Sequence, residues 1–298
     1  MEIAGVQIDA TFAEAFDMQA TRIIITAADR QWVQAAATSM TGFGTSVIAC
    51  GVEIGIEQEL SPAETPDGRP GVAILAFAVS AKELEKQIPR RAGQCVLTCP
   101  TTSLFAGITA EKHIPLGKTL RYFGDGYQIS KVLEGLRYWR IPVMDGEFVC
   151  QDATGRVPGI GGGNLILIGD SVEGVVRGCR AAATAIAALP HVITPFAGGA
   201  TRSGSKVGSK YRGLVASTNQ AYCPALRGVV ASELSDEENC VLEIVIDGLS
   251  SEAVGGAMRA GIHAACEAAG TIGLRRISAG NYGGKLGRHH FHLAEVLR

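Results

Sequence analysis

Glu243 is the residue whose setting is least ordinary, because it interrupts the apolar run formed by Val241, Leu242, Ile244, Val245 and Ile246. An ionised carboxylate within such a run is costly to desolvate. Burial favours the protonated form, which can offer a hydrogen bond or a proton to a reacting oxygen. A second reading follows from strand geometry: successive side chains alternate faces, so Leu242, Ile244 and Ile246 take the core while Glu243 points outward. The run itself leaves both readings open.

The other charged motif is Arg202-Ser203-Gly204-Ser205-Lys206-Val207-Gly208-Ser209-Lys210, three cations set among serines and glycines. Hydroxyls, exposed amides and cations suit phosphate or carboxylate groups on a ligand tail. No aromatic residue is interleaved to stack on a nucleic-acid base. A solvated loop whose lysines keep the surface soluble fits the same residues.

Two further patterns are weaker. His290 and His292 would share one face of a strand, with His289 on the other, yet no carboxylate or cysteine stands nearby at ligand spacing, so an ordinary strand surface is expected. Gly159-Ile160-Gly161-Gly162-Gly163-Asn164 has the glycines of a dinucleotide loop, but such a loop follows a strand and opens a helix, whereas this one opens a strand. The eight cysteines (50, 95, 99, 150, 179, 223, 240 and 266) contain no C-x-x-C pair and read as buried, reduced thiols.

The elements that must position these residues alternate between extended and helical. Ile23–Thr26 reads as a strand, a helix runs through Trp32 and Ala36, and Thr45–Cys50 reads as the next strand. A second unit has a strand over 71–77, a helix opened by Ser80 with Glu83 three residues on, and an extended Cys95–Cys99. The later chain repeats this: a strand over 164–168, a helix over 171–189 and a strand over 191–194, then a strand over 241–246, a helix over 250–269 and a strand over 275–279. The pattern predicts an α+β protein of two ferredoxin-like lobes related by duplication, 1–145 and 146–298, joined by a hairpin at Asp145-Gly146.

With 27 basic against 29 acidic residues there is no global field for nucleic acid. No stretch is apolar enough to span a membrane, and the N-terminus lacks signal-peptide character, so a cytoplasmic protein is expected.

Seven strings, in order from both halves, add a resemblance: TGFGTS at 41–46, TPDGRPG at 65–71, FGDGY at 123–127, SKVGSK at 205–210, ASTN at 216–219, AYCP at 221–224 and SAGNYGGKLG at 278–287. Together they resemble the formylmethanofuran:tetrahydromethanopterin formyltransferases over nearly the whole chain. The resemblance implies distal and proximal α+β lobes. It also implies transfer of a formyl group between N5 of tetrahydromethanopterin and the amine of methanofuran, both carriers acting as cosubstrates with no metal or bound cofactor. The family's acidic residue falls on Glu243, which favours the buried reading. Ser217, Asn219 and Tyr222 would line the reaction site, Asn281, Tyr282 and Lys285 would contact a carrier, and Lys206, Lys210 and Arg69 would suit anionic tails.

The mild acidity and abundant alanine resemble the bacterial, methylotroph branch of that family. This implies flux from formyl-tetrahydromethanopterin to methanofuran, on the route from formaldehyde to formate. It also implies an oligomer, a complex with formylmethanofuran hydrolase subunits, or both. A catalytically weak pterin-binding or scaffold subunit is the alternative, against which the retained Glu243 and complete glycine loops argue.

Overall fold

A computed structural model describes residues 1–204 and 206–298 and divides into two compact units: Met18–Gly159, and Met1–Asp17 with Ile160–Arg298. The boundary runs through two long strands, Phe12–Thr26 and Val157–Gly169, each of which contributes residues to both units.

Each unit carries the order strand, helix, strand, strand, helix, strand. The first unit uses the later part of Phe12–Thr26, then Arg30–Thr41, Glu53–Leu60, Gly71–Ala78, Ala81–Arg91 and Ser103–Ala106. Its first strand lies between Gly71–Ala78 and Ser103–Ala106, and Glu53–Leu60 pairs with Gly71–Ala78, all antiparallel. The other unit uses Val157–Gly169 from Ile160 onward, then Val172–Ala187, Val192–Ile193, Cys240–Gly248, Ser251–Ala269 and Leu274–Ser278. There the first strand lies between Cys240–Gly248 and Leu274–Ser278, and Val192–Ile193 pairs with Cys240–Gly248. The neighbours match position for position, which is the ferredoxin-like arrangement twice over.

The four principal helices start where a short polar side chain caps them. Asp29 accepts from Trp32 N, Ser80 from Glu83 N, Ser171 from Gly174 N and Ser250 from Ala253 N. Each such cap typically stabilises by about 1 kcal/mol. In the unit that holds Glu243, Leu165, Leu167, Ile244 and Ile246 from the sheet pack with Val175, Ile186, Met258 and Ile262 from the helices. Among the described residues no helix is long and apolar enough to cross a membrane.

Two expected strands are not strands. Val47–Cys50 forms a short helix because Ser46 accepts from Ile48 N, and the strand begins instead at Glu53. Residues 95–99 do not extend: Ala92–Val96 prolongs the preceding helix as a π-helical turn, with Leu97 N bonded to Ala92 O. Val96 and Leu97 are buried there, so the apolar run meets the core as a turn rather than as a strand. Short apolar runs fit either state equally well by pattern. The turn Asp145-Gly146 does join two strands, Leu136–Val143 and Gly146–Gln151, and it lies inside the Met18–Gly159 unit.

Gly169 marks the tightest approach behind the strand that supports Glu243. A Cβ there would stand 2.2 Å from Gly273 O and 2.7 Å from Val175 Cγ2, so Gly169→Ala should destabilise by about 1–3 kcal/mol. Gly256, on the exposed side of Ser251–Ala269, has nothing within 4 Å of an added Cβ, and Gly256→Ala should stabilise by up to about 1 kcal/mol. Urea midpoints of the two variants against the parent check both signs.

Candidate active site

Along Cys240–Gly248 the side chains of Leu242, Ile244 and Ile246 face the helix-covered core, as period-two geometry requires. Glu243 therefore lies on the opposite face, yet it is only 3% exposed. Both sequence readings were half right: the residue points away from the main core and is still buried. The cover is a third layer built from the long connection between Val192–Ile193 and Cys240–Gly248. Thr201 bridges Glu243 through paired backbone bonds, Thr201 N to Glu243 O at 2.7 Å and Glu243 N to Thr201 O at 2.8 Å. Ile166, Ile168 and Leu234 form a small second core on this face, with Tyr222 and Val241 packed against it.

Glu243, Thr201, Ser203, Asn219, Tyr222 and Ile166 line a cleft of about 30 Å³, room for a water-sized group beside Glu243. A cavity of about 760 Å³ is lined by Asn219 and Tyr222 as well, together with Asp9, Thr11, Arg276 and Asn281. Asn219 and Tyr222 thus wall both spaces. Burial pushes the Tyr222 hydroxyl up from its ordinary value, against a lowering hydrogen bond to Ser278. Arg276 is fixed by Glu238, 2.7 Å from Nε, and by Asp9, 2.8 Å from an NH group. The Glu238 hydrogen bond raises Arg276 above its ordinary value despite burial.

The remaining predicted residues divide by what holds them. Asn281 donates to Thr11 Oγ1 and Phe12 O and accepts from Gly283 N, so it braces the last glycine-rich loop while lining the larger cavity. Tyr282 packs its ring 5.9 Å from that of Phe16, and Lys285 is exposed. Ser217 gives its hydroxyl to Gly208 O at 2.7 Å, which ties the cation-bearing loop rather than lining the cleft. Lys206 Nζ donates to Gln220 Oε1, Lys210 is exposed, and Ser205 lies outside the described residues. Arg69 belongs to the other unit, where its guanidinium is taken up by Asp67, Thr101 O, Thr26 and Ser103.

His290 and His292 are exposed and each sets its ring about 5 Å from Phe12. Among the described residues no three His, Cys, Asp or Glu side chains are grouped to hold a metal, and all eight cysteines are free. The glycines of 159–164 lie within Val157–Gly169, where a Cβ at Gly163 would stand 2.4 Å from Val254 Cγ1; they serve packing, not a phosphate turn.

Sequence reasoning missed Glu14, which organises the 280–287 loop. Its carboxylate, 1% exposed, accepts from Tyr282 N and Gly284 N on one oxygen and from Leu286 N and Gly287 N on the other, at 2.6–2.8 Å. Burial acts to raise its pKa, but the four amide donors, Gly287 foremost, outweigh it and lower the value to about 2. The only signal was an acid between Ala13 and Ala15 in a strand, and its partners lie some 270 positions away. Because the folded pKa lies below the unfolded one, Glu14 contributes stability above about pH 4.5, and this contribution is lost as pH falls towards about 2. Glu14→Gln should be less stable than the parent at neutral pH and should lose less stability between about pH 5 and pH 2, as read from denaturant midpoints across that range.

The comparisons with known proteins cover the whole of this architecture. Residues 1–143 match the family described as formylmethanofuran-tetrahydromethanopterin formyltransferase, and residues 146–296 match its proximal lobe. The chain is 62% identical over 311 residues to the formylmethanofuran–tetrahydromethanopterin formyltransferase of Rhodopirellula baltica, covering 100% of this chain and 93% of that one. It is 53% identical over 299 residues to a subunit of the formyltransferase/hydrolase complex of Methylorubrum extorquens, covering 98% of this chain and 96% of that one. The crystal structure of the Methylorubrum extorquens formyltransferase/hydrolase complex with methylofuran matches with a TM-score of 0.97 at 52% identity, covering 100% of this chain and 99% of the matched one. With both lobes matched and this identity sustained over the full length, the chain belongs to the formylmethanofuran-tetrahydromethanopterin formyltransferase family.

Proposed function

We propose that the chain transfers a formyl group between N5 of tetrahydromethanopterin and the amine of a methanofuran-type carrier, with Glu243 as the catalytic residue. The observation that carries this reading is the buried Glu243 lining a cleft whose walls, Asn219 and Tyr222, also bound a cavity of carrier size. One carrier enters as a formylated amine and the other as a free amine, so the free amine attacks the formyl carbon and the carbonyl oxygen becomes a tetrahedral oxyanion. Collapse of that intermediate expels the first amine, and the proton lost by the attacking nitrogen ends on the leaving one. No covalent enzyme intermediate is required. Proximity of the two bound amines lowers the barrier, and a protonated Glu243, favoured by burial, donates a hydrogen bond to the oxyanion.

Asn219 and Tyr222 orient the reacting groups, Asn281, Tyr282 and Lys285 act on a carrier through the loop that Glu14 holds, and Lys206 and Lys210 meet anionic tail groups. Ser217 belongs to this set through the loop it ties. Arg69, committed to its own neighbours, supports that set only by shaping its unit. The two carriers are cosubstrates and no resident cofactor is invoked. The chain works with formylmethanofuran hydrolase subunits, in a cytoplasmic complex or homo-oligomer, and passes the formyl group from the pterin to the furan carrier. Its similarity to a subunit of the Methylorubrum extorquens formyltransferase/hydrolase complex supports that reading. The division into lobes at 145/146 belongs to the same proposal, as the boundary of the duplicated halves.

Glu243→Gln keeps shape and an N–H donor, whereas Glu243→Ala keeps neither. Loss of such a donor costs about 10²–10³ in turnover, so Ala should fall by that factor, Gln by less, and carrier affinities should persist in both. Near-normal turnover of the Ala variant with saturating carriers, formyl transfer being rate-limiting, would falsify the assignment. Lys210→Ala should raise the KM for one carrier and weaken its salt dependence with kcat nearly unchanged; steady-state rates at two ionic strengths check this.

A further inference from the structure

The Met18–Gly159 unit has a cleft of its own, of about 620 Å³, in the range of small-molecule sites. Lys118, Arg121 and Arg137, with His113 beside them, stand on its walls against one carboxylate, Asp152; the cations counted are the lysine and the two arginines. In a chain with 27 basic and 29 acidic residues, that local excess of cations is not an average surface.

What holds these cations matters more than their number. The Arg121 guanidinium lies 4.8 Å from the centre of the Tyr122 ring and 4.7 Å from that of Trp139, and it donates to Tyr122 Oη at 2.9 Å. Stacking between rings fixes a guanidinium while leaving its charge uncompensated and its remaining N–H edge available. Arg137 is likewise held by a neutral group, Ser130 Oγ, at 2.9 Å. The side chains of Lys118 and His113 make no hydrogen bond or ion pair among the described residues. Asp152 accepts from Trp139 Nε1 at 2.6 Å, which directs one carboxylate oxygen to the indole rather than to the cations. Arginines placed by rings and hydroxyls instead of by carboxylates are prearranged for an outside anion.

We propose that this cleft binds a ligand carrying two or more oxyanion groups, phosphate or carboxylate. The proposal rests on the cleft alone and not on the assignment of formyl transfer.

Isothermal titration calorimetry of the full chain with pyrophosphate and with tricarballylate, at low ionic strength, tests it. At least one probe should bind at one site per chain. Its affinity should fall about tenfold or more in Lys118→Ala and in Arg137→Ala, and it should weaken with added salt. Lys82→Ala, outside the cleft, should bind as the parent does. Binding of pyrophosphate alone identifies a phosphoryl ligand, binding of tricarballylate alone a polycarboxylate, and binding of both the shared oxyanion chemistry. Lys118 and Arg137 are exposed, so both variants should melt as the parent does. The proposal is overturned if neither probe saturates at millimolar concentration, or if binding is unchanged in both cleft variants.

Discussion

A carboxyl group withdrawn from water has to be neutral or closely partnered, and the unit carrying Glu243 is arranged around that constraint. The sheet puts Leu242, Ile244 and Ile246 into the main core, which forces Glu243 onto the other face. Left bare, that face would present an ordinary solvated glutamate. It is buried because the connection before Cys240–Gly248 folds back over it, pairing Thr201 with Glu243 and packing Tyr222 against Val241, Ile166 and Leu234. The proposed reaction site is therefore a property of the added layer as much as of the residue.

The duplication makes this visible. In the first unit, the connection between the second and third strands of the motif is residues 61–70; in the second, the equivalent connection is residues 194–239. Thr201, the cation-bearing loop, Ser217, Asn219 and Tyr222 all lie in that longer segment. A repeated scaffold with one expanded connection places the candidate site on a loop held by rigid strands. Two charged devices hold the surroundings: the Glu14 carboxylate gathers four amides of the 280–287 loop, and Arg276 joins Glu238 to Asp9 at the edge of the larger cavity.

The strand and helix order was legible because the caps and periodicities are local. Ser80, Ser171 and Ser250 announce the helices they cap, and the runs 71–77, 164–168 and 241–246 are strands. Thr45–Cys50 and Cys95–Cys99 were misread because a short apolar run has no period of its own. Glu243 was legible as a residue of interest, but whether it is buried depends on how the preceding connection, residues 194–239, folds back over it. Glu14 was invisible for the same reason at greater range, since its four donors are the backbone amides of a distant loop. Arg69 shows the converse: a cation in a distinctive motif whose hydrogen bonds are all spent within its own unit.

Glu243 as a neutral donor at its place of work is the point on which the proposed chemistry turns. Infrared difference spectroscopy between the parent and Glu243→Gln, in the resting protein near neutral pH, addresses it directly. The parent should show a protonated-carboxyl carbonyl band that the variant lacks and that shifts in deuterium oxide. A difference spectrum containing only ionised-carboxylate bands would contradict the neutral state.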